Sequence, residues 1–426
     1  MSTWLAAAST DAALMDDFRA ICGFGGRLSG SGQDEAALDW ALGRLREIGA
    51  GRVSRLAVPY DGWRCLGASL SLITPGGGEA FLACKPLLRS ASTEAGGLVA
   101  PVLDLGTGRT EDFERMAGRI PGHIVLVRHE YPFSPTHLHR RRKYDMAVAA
   151  GAAGFLIANP LPGVGLLSGS SGRPRNGHGI PAAYIDAESA QRLAGAPAGT
   201  LARLVIEGEE VPDSRAAVGV FDLPGGRDSR IVISAHVDGH DLGVSALDNA
   251  TGVAVALAAA RLLAPRVGPD TAGLRVCLFC AEEWALAGSA RYLDGLEPAE
   301  RARLKLNINL DTVAGDASLT ALISGFEKLG PLVGRAAQAA GVPVETWLPL
   351  MPNSDHANFA RHGIPALRLV AGFGKPSSRV NRILSAGDVP ALIREDEMRQ
   401  ALAVTAALAD LALAMGEQEL DALRGP

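Results

Sequence analysis

Cysteine, charge of one sign and long apolar runs are all scarce in this sequence, and each shortage removes a class of explanation. Among 426 residues there are five cysteines: Cys22, Cys65, Cys84, Cys277 and Cys280. An odd, scattered set in a chain of this length does not make a disulfide framework. Cys277 and Cys280 form a C-x-x-C pair, but residues 274–280 read as a buried strand. Three positions apart on a strand, the two side chains point to opposite faces, so both are expected to be small apolar core residues. The formal net charge is only -5, with both signs mixed along the chain. That leaves no electrostatic footprint for nucleic acid or an anionic membrane. The most apolar stretches, 252–260 and 401–409, are cut by Arg261 and Asp410 and are too short to span a bilayer. The first residues lack a basic segment followed by an apolar one, so no secretory signal is visible and a cytoplasmic location is expected.

What is present describes a soluble protein with a sizeable core, 47% hydrophobic and 20% charged, long enough for two or three domains. Residues 1–91 form an opening segment. It contains a glycine-rich loop at 25–32, then a helix over 34–48 with Ala37, Leu38, Leu42, Leu45 and Ile48 at helical spacing and Gly49 as its stop. Strands follow at 67–73 and 80–84 around the turn at 75–78. Residues 92–213 differ in character, with short strands between Gly/Pro-rich loops and one helix at 141–150, and read as a small β-rich domain inserted into a larger one. Residues 214–426 alternate strands (229–234, 274–279, 305–310, 319–323, 366–370) with helices, including 249–263 and 395–415. This predicts an α/β fold, a mixed and mostly parallel sheet with helices on both faces. Ligands of such sheets sit beyond the carboxyl ends of the strands.

Residues able to bind metal fall at those ends. His236-Val237-Asp238 follows one strand, Asp248-Asn249 opens a helix, Glu282-Glu283 closes a second strand, Asp311 closes a third, and Ser354-Asp355-His356 opens another helix. A lone His or Asp at a strand end is ordinarily an N-cap or surface residue. Five such positions at one end of one sheet would place carboxylates in mutual repulsion unless cations intervened. Mixed imidazole and carboxylate donors suit zinc, with manganese or cobalt as replacements. His236 and Asp238 share a face of extended chain, so Asp238 is expected to hold the imidazole from its other nitrogen. The adjacent side chains of Glu282 and Glu283 diverge, so one can address a metal while the other works as a base on water; adjacency does not say which.

The ordered set His236-Val237-Asp238, Leu247-Asp248-Asn249-Ala250-Thr251-Gly252, Cys280-Ala281-Glu282-Glu283, Asn309-Leu310-Asp311 and Ser354-Asp355-His356 resembles the dizinc exopeptidase family of bacterial leucyl aminopeptidase and glutamate carboxypeptidase. The resemblance covers roughly residues 215–415. It implies the zinc exopeptidase fold and two zinc ions. Asp248 would bridge them, Glu283 and His356 would complete one site, His236 and Asp311 the other, and Glu282 would be the general base. Residues 92–213 resemble a protease-associated domain, especially at 151–157 and 180–185. Arg27-Leu28-Ser29-Gly30-Ser31 is similar to the entry segment of the larger members. Thr312, after Asp311, departs from the family's usual larger apolar residue.

The function implied is hydrolysis of peptide or small amide substrates, with an aminopeptidase preferred. A carboxypeptidase or dipeptidase would use the same site, with Arg368, Lys375, Arg379 or Arg382 as anchor for the substrate carboxylate. A catalytically inactive receptor-like or scaffold relative, and a cyclising transferase, are the other readings. The former predicts substituted ligand positions, and none is substituted. No nucleic-acid or membrane partner is expected; a homodimer is left open. His240 is divided between pocket lining and turn. His362, His137 and His139 are expected at solvated positions.

Overall fold

Eight strands form the sheet that carries the chemistry: β1 (Arg52–Pro59), β2 (Arg215–Leu223), β3 (Arg230–His236), β4 (Gly273–Phe279), β5 (Leu304–Leu310), β6 (Leu319–Leu322), β7 (Val344–Trp347) and β8 (Ala366–Ala371). The computed structural model describes residues 3–425. Their order across the sheet is β1-β2-β4-β3-β5-β8-β6-β7. The central four, β4-β3-β5-β8, are parallel, and β1, β2 and β6 run antiparallel to their inner neighbours. β3 and β4 are buried at every position. Parallel strands covered on both faces read as continuous apolar runs, which is why the central sheet was legible in the sequence. The outer strands were not: β1 has one buried residue in eight and β7 none in four, so neither carries a strong apolar pattern.

The helix Thr251–Leu263 packs against β3 and against the long helix Glu395–Ala414. The stretch Ala246–Arg266 has mean hydropathy 1.3, enough by length and composition to cross a membrane, yet it is 83% buried within the protein. Its apolar character on all sides is what a helix needs when protein surrounds it. Cys277 lies in β4 and Cys280 follows it; both are buried and unbridged.

This unit comprises Met1–Tyr60, Arg215–Ile383 and Asp388–Pro426; a second unit comprises Asp61–Ser214 and Leu384–Gly387. Within the second, the strands Glu79–Leu82, Gly62–Ile73, Leu201–Val211 and Leu98–Ala100 form an antiparallel sheet. A five-stranded, mainly parallel sheet carries the helix Arg140–Ala149. The unit therefore starts at Asp61 rather than at 92, the boundary expected from composition. The reason is pairing: Gly62–Ile73 is hydrogen-bonded along its whole length to Leu201–Val211, so a boundary at 92 would cut a sheet.

Candidate functional site

Because β3, β4 and β5 are parallel, their carboxyl ends open on one edge of the sheet. His236 is the last residue of β3, Glu282 lies in the turn after β4, and Asp311 follows β5. Among the described residues, one group of histidine and carboxylate side chains brings its donor atoms within 4.8 Å of one another: His236, Glu282 and Asp311, all buried. Asp248 Oδ1 lies 3.1 Å from His236 Nε2, and Asp311 Oδ1 lies 3.6 Å from the same atom. That Nε2 is buried without a well-formed hydrogen bond. An imidazole nitrogen facing several carboxylates in a dry pocket is a donor set for a divalent ion, and the chemistry of these residues fits one.

Asp238 is placed otherwise than its spacing suggested. His236 Nδ1 meets the Asp238 main-chain oxygen at 3.0 Å, while the carboxylate Oδ1 stands 3.6 Å away. The carboxylate instead accepts from the main-chain N–H groups of Glu282 (3.1 Å) and Glu283 (3.2 Å). It therefore fixes the backbone that presents Glu282. Other side chains do the same for the remaining loops. Asp388, fully buried, accepts from the N–H groups of Leu247 (2.6 Å) and Asp248 (3.2 Å). Asn249 accepts from Gly252 and Thr312 and donates to the Leu310 oxygen. Arg27, also fully buried, donates to the main-chain oxygens of Val237, Val244 and Ser245, each at 2.8 Å. Ser29 Oγ accepts from the Ala281 N–H at 2.8 Å. The roles of Arg27, Asp388 and Asn249 escaped the sequence reading; an arginine set in a glycine-rich loop was the one available signal.

Asp248, Glu283 and His356 lie outside that group of three, and both ring nitrogens of His356 are buried without a well-formed hydrogen bond. His356 is fully buried at the start of the helix His356–Arg361. Burial, reinforced by the Arg368 guanidinium, pushes its pKa down to about 3, so the ring is neutral. Arg368, on β8 and 2% exposed, forms an ion pair with Asp311, Nη2 to Oδ1 at 3.0 Å, and donates to the Asn353 oxygen at 3.2 Å. Thr312 Oγ1 donates to Asp311 Oδ1 at 3.0 Å, so the departure noted at this position supplies a hydrogen bond to the carboxylate. Burial raises the Glu282 carboxyl well above the usual range. Burial also opposes ionisation of Asp311, but Arg368 and His236 overcome it and hold that carboxyl down. His240 is buried, its N–H bonded to Ser245 Oγ, and His362 is partly exposed beside Asp294 at 3.3 Å.

A mixed α/β sheet with a buried imidazole and carboxylate donor set beyond the carboxyl ends of its parallel strands fits a metal-binding site. Comparison with known proteins narrows this. Residues 220–409 match the model of peptidase family M28, and residues 86–193 match the PA domain. Residues 220–409 are thus a peptidase family M28 region, preceded by a PA domain region. It is 32% identical over 229 residues to aminopeptidase YwaD of Bacillus subtilis, covering 53% of this chain and 46% of that protein. It is 26% identical to carboxypeptidase Q of Mus musculus, covering 68% and 62%. The matches thus span about half to two thirds of the length of these relatives. Among solved structures, the fold resembles a zinc aminopeptidase from Bacillus subtilis (TM-score 0.71, 22% identity, 95% of this chain and 96% of that one). It also resembles a peptidase M28 precursor from Shewanella amazonensis (TM-score 0.77, 22% identity, 97% and 96%). The α/β fold and the inserted domain expected from the sequence are both borne out.

Proposed function

We propose that the protein is a zinc-dependent exopeptidase that removes amino-terminal residues from peptides. The observation that carries this reading is the convergence of His236, Glu282 and Asp311 at the carboxyl edge of the parallel strands, with Asp248 beside them. A divalent ion, if held there, would supply a water of near-neutral pKa and polarisation of the scissile carbonyl. His236, Asp248 and Asp311 are the residues assigned to hold it. Glu282 is the group assigned to take a proton from water and return it to the leaving amine. Burial raises its carboxyl above the usual range, which favours holding a proton and handing it on. Asp238 acts at one remove, through the main chain of Glu282.

The direction of cleavage draws support from Arg368. A carboxypeptidase needs a cation free to receive the substrate carboxylate, and Arg368, the candidate nearest the site, is already paired with Asp311. A panel of peptides blocked at one end or the other, assayed with zinc, cobalt and manganese, tests the reading. Cleavage should require a free amino terminus; dependence on a free carboxyl terminus instead would overturn it. Glu282→Gln should retain bound zinc and lose roughly 10²–10⁴-fold in kcat, the usual contribution of a positioned acid–base group.

A further inference from the structure

Asp248 lies in a segment that does not hold its own shape. Ser245 is left-handed, with φ 49°, and Asp248 and Asn249 have dihedral angles outside the helical range although the helix Thr251–Leu263 follows directly. Residues 245–250 are buried, so main-chain groups left unpaired by this irregular path need partners from elsewhere. Two charged side chains supply them, one from each end of the chain.

Asp388 takes the N–H side, one oxygen to Leu247 at 2.6 Å and the other to Asp248 at 3.2 Å. Arg27 takes the carbonyl side, Nη1 to Val244 and Nη2 to Ser245, while its Nε reaches Val237, the residue after His236, each at 2.8 Å. The same Nη1 donates to the Gly25 and Ile21 oxygens at 2.7 and 3.3 Å, which anchors the guanidinium in its own loop. That loop rests directly on the strand-end segment, since a Cβ at Gly26 would stand 2.1 Å from the His240 main-chain oxygen. Both side chains are fully buried. Burial opposes the charge on each, and each is among the groups that support the charge on the other.

We propose that Arg27 and Asp388 are positioning residues that clamp residues 244–248 from both sides and so set the Asp248 carboxylate beside His236. Neither is assigned to the ion or to the substrate; each acts through the main chain of the segment it holds. The inference rests on the metal-dependent reading above. Asp388→Asn keeps the size of the side chain but turns an amide N–H toward one of two N–H donors. Arg27→Lys keeps the charge but replaces a rigid fork with one nitrogen, which cannot cover Val237, Val244 and Ser245 together. In either variant Asp248 must be ordered when the ion binds, and binding weakens accordingly.

The test titrates the metal-free intact protein with zinc against a chelating dye and records the melting temperature of each metal-free variant. Asp388→Asn and Arg27→Lys should each bind zinc about 10–100-fold more weakly than the wild type, the usual effect of disturbing groups that orient ligands. Together they should lose less than the product of the single losses, because both act on one segment. Arg275→Lys, which disturbs ion pairs with Asp222 and Glu300 on β4, is the control. It should lower the melting temperature and leave zinc affinity unchanged. Wild-type affinity in both clamp variants would overturn the proposal. So would an equal loss of affinity in the control, since general destabilisation would then account for it. A full product in the double variant would mean two independent contacts and sink the shared clamp. A wild type that binds no zinc would remove the metal-dependent reading and the clamp with it. Should Arg27→Lys fail to fold, Asp388→Asn against the control still decides.

Discussion

Asp238 illustrates how little of a side chain's work its sequence neighbours reveal. The His-x-Asp spacing correctly places two residues on one face, but the carboxylate turns to main-chain groups 44 and 45 positions away. That partnership arises only when β3 and β4 lie side by side, and no local pattern encodes it. Arg27 is a stronger case, since its main-chain partners Val237, Val244 and Ser245 are more than 200 residues distant. By contrast, His236, Asp248 and Asp311 were legible because each sits at the end of a recognisable strand or the start of a helix. Asp238→Asn keeps the shape but weakens two charge-assisted bonds. Such bonds contribute about 1.5–3 kcal/mol each, and the amide retains part of that. A loss of roughly 1–3 kcal/mol in urea unfolding is therefore expected, with kcat falling while KM for a peptide changes little. An unchanged kcat would show that the Glu282 backbone holds its position unaided.

At the level of the element, the short helix Ala287–Asp294 sets how closely the β4 turn can be held. A Cβ at Gly288 would stand 1.9 Å from the Cys280 main-chain oxygen, closer than any real contact. Glycine is thus required by proximity, as the residue that lets one backbone rest on another. Gly288→Ala must push the helix or the Cys280–Glu283 turn aside, and overpacking of this kind costs about 1–3 kcal/mol. A lowered melting temperature together with reduced turnover is expected; a drop in melting temperature alone would mean that only the helix moves. The same scale explains which strands the sequence disclosed. β3 and β4 are mostly apolar runs and β5 alternates apolar with polar residues, whereas β1, with burial at a single position, gains its structure from pairing with β2. Pairing partners are a property of the fold, and short edge strands carry few residues in which to write them.

For the molecule as a whole, three histidines of the inserted unit add one component to the response to acid. His129 and His139 are only partly covered at the surface but their rings are held out of water. Burial, followed by Arg140 and then Lys143 for His129 and Arg141 for His139, holds both pKa values well below the usual one. His137 is lowered as well, again chiefly by burial, with Glu130 working in the opposite direction. In the unfolded chain these rings take up protons near pH 6.5; in the folded chain they do so only at lower pH. Their contribution to stability is therefore complete above about pH 6.5 and declines as the pH falls below it, since the unfolded state binds more protons there. Relative to the wild type, His139→Asn, which retains a helix-capping side chain, should gain urea midpoint as the pH is lowered from about 7 to about 5. An identical pH dependence in the two proteins would show that the ring becomes protonated without cost.

The order of the two units along the chain bears on how the protein comes to be made. β1 belongs to the eight-stranded sheet but precedes the inserted unit, and its partner β2 begins only at Arg215. During synthesis the first 60 residues must wait, with their apolar helix faces uncovered, until the intervening segment has left the ribosome. The inserted unit, contiguous from Asp61 to Ser214 apart from four late residues, is free to fold in that interval, as domains do when their sequence is complete. The nascent chain thus passes through a stage in which its middle is native and its beginning is not. That stage is when a chaperone that binds exposed apolar helices would find this protein.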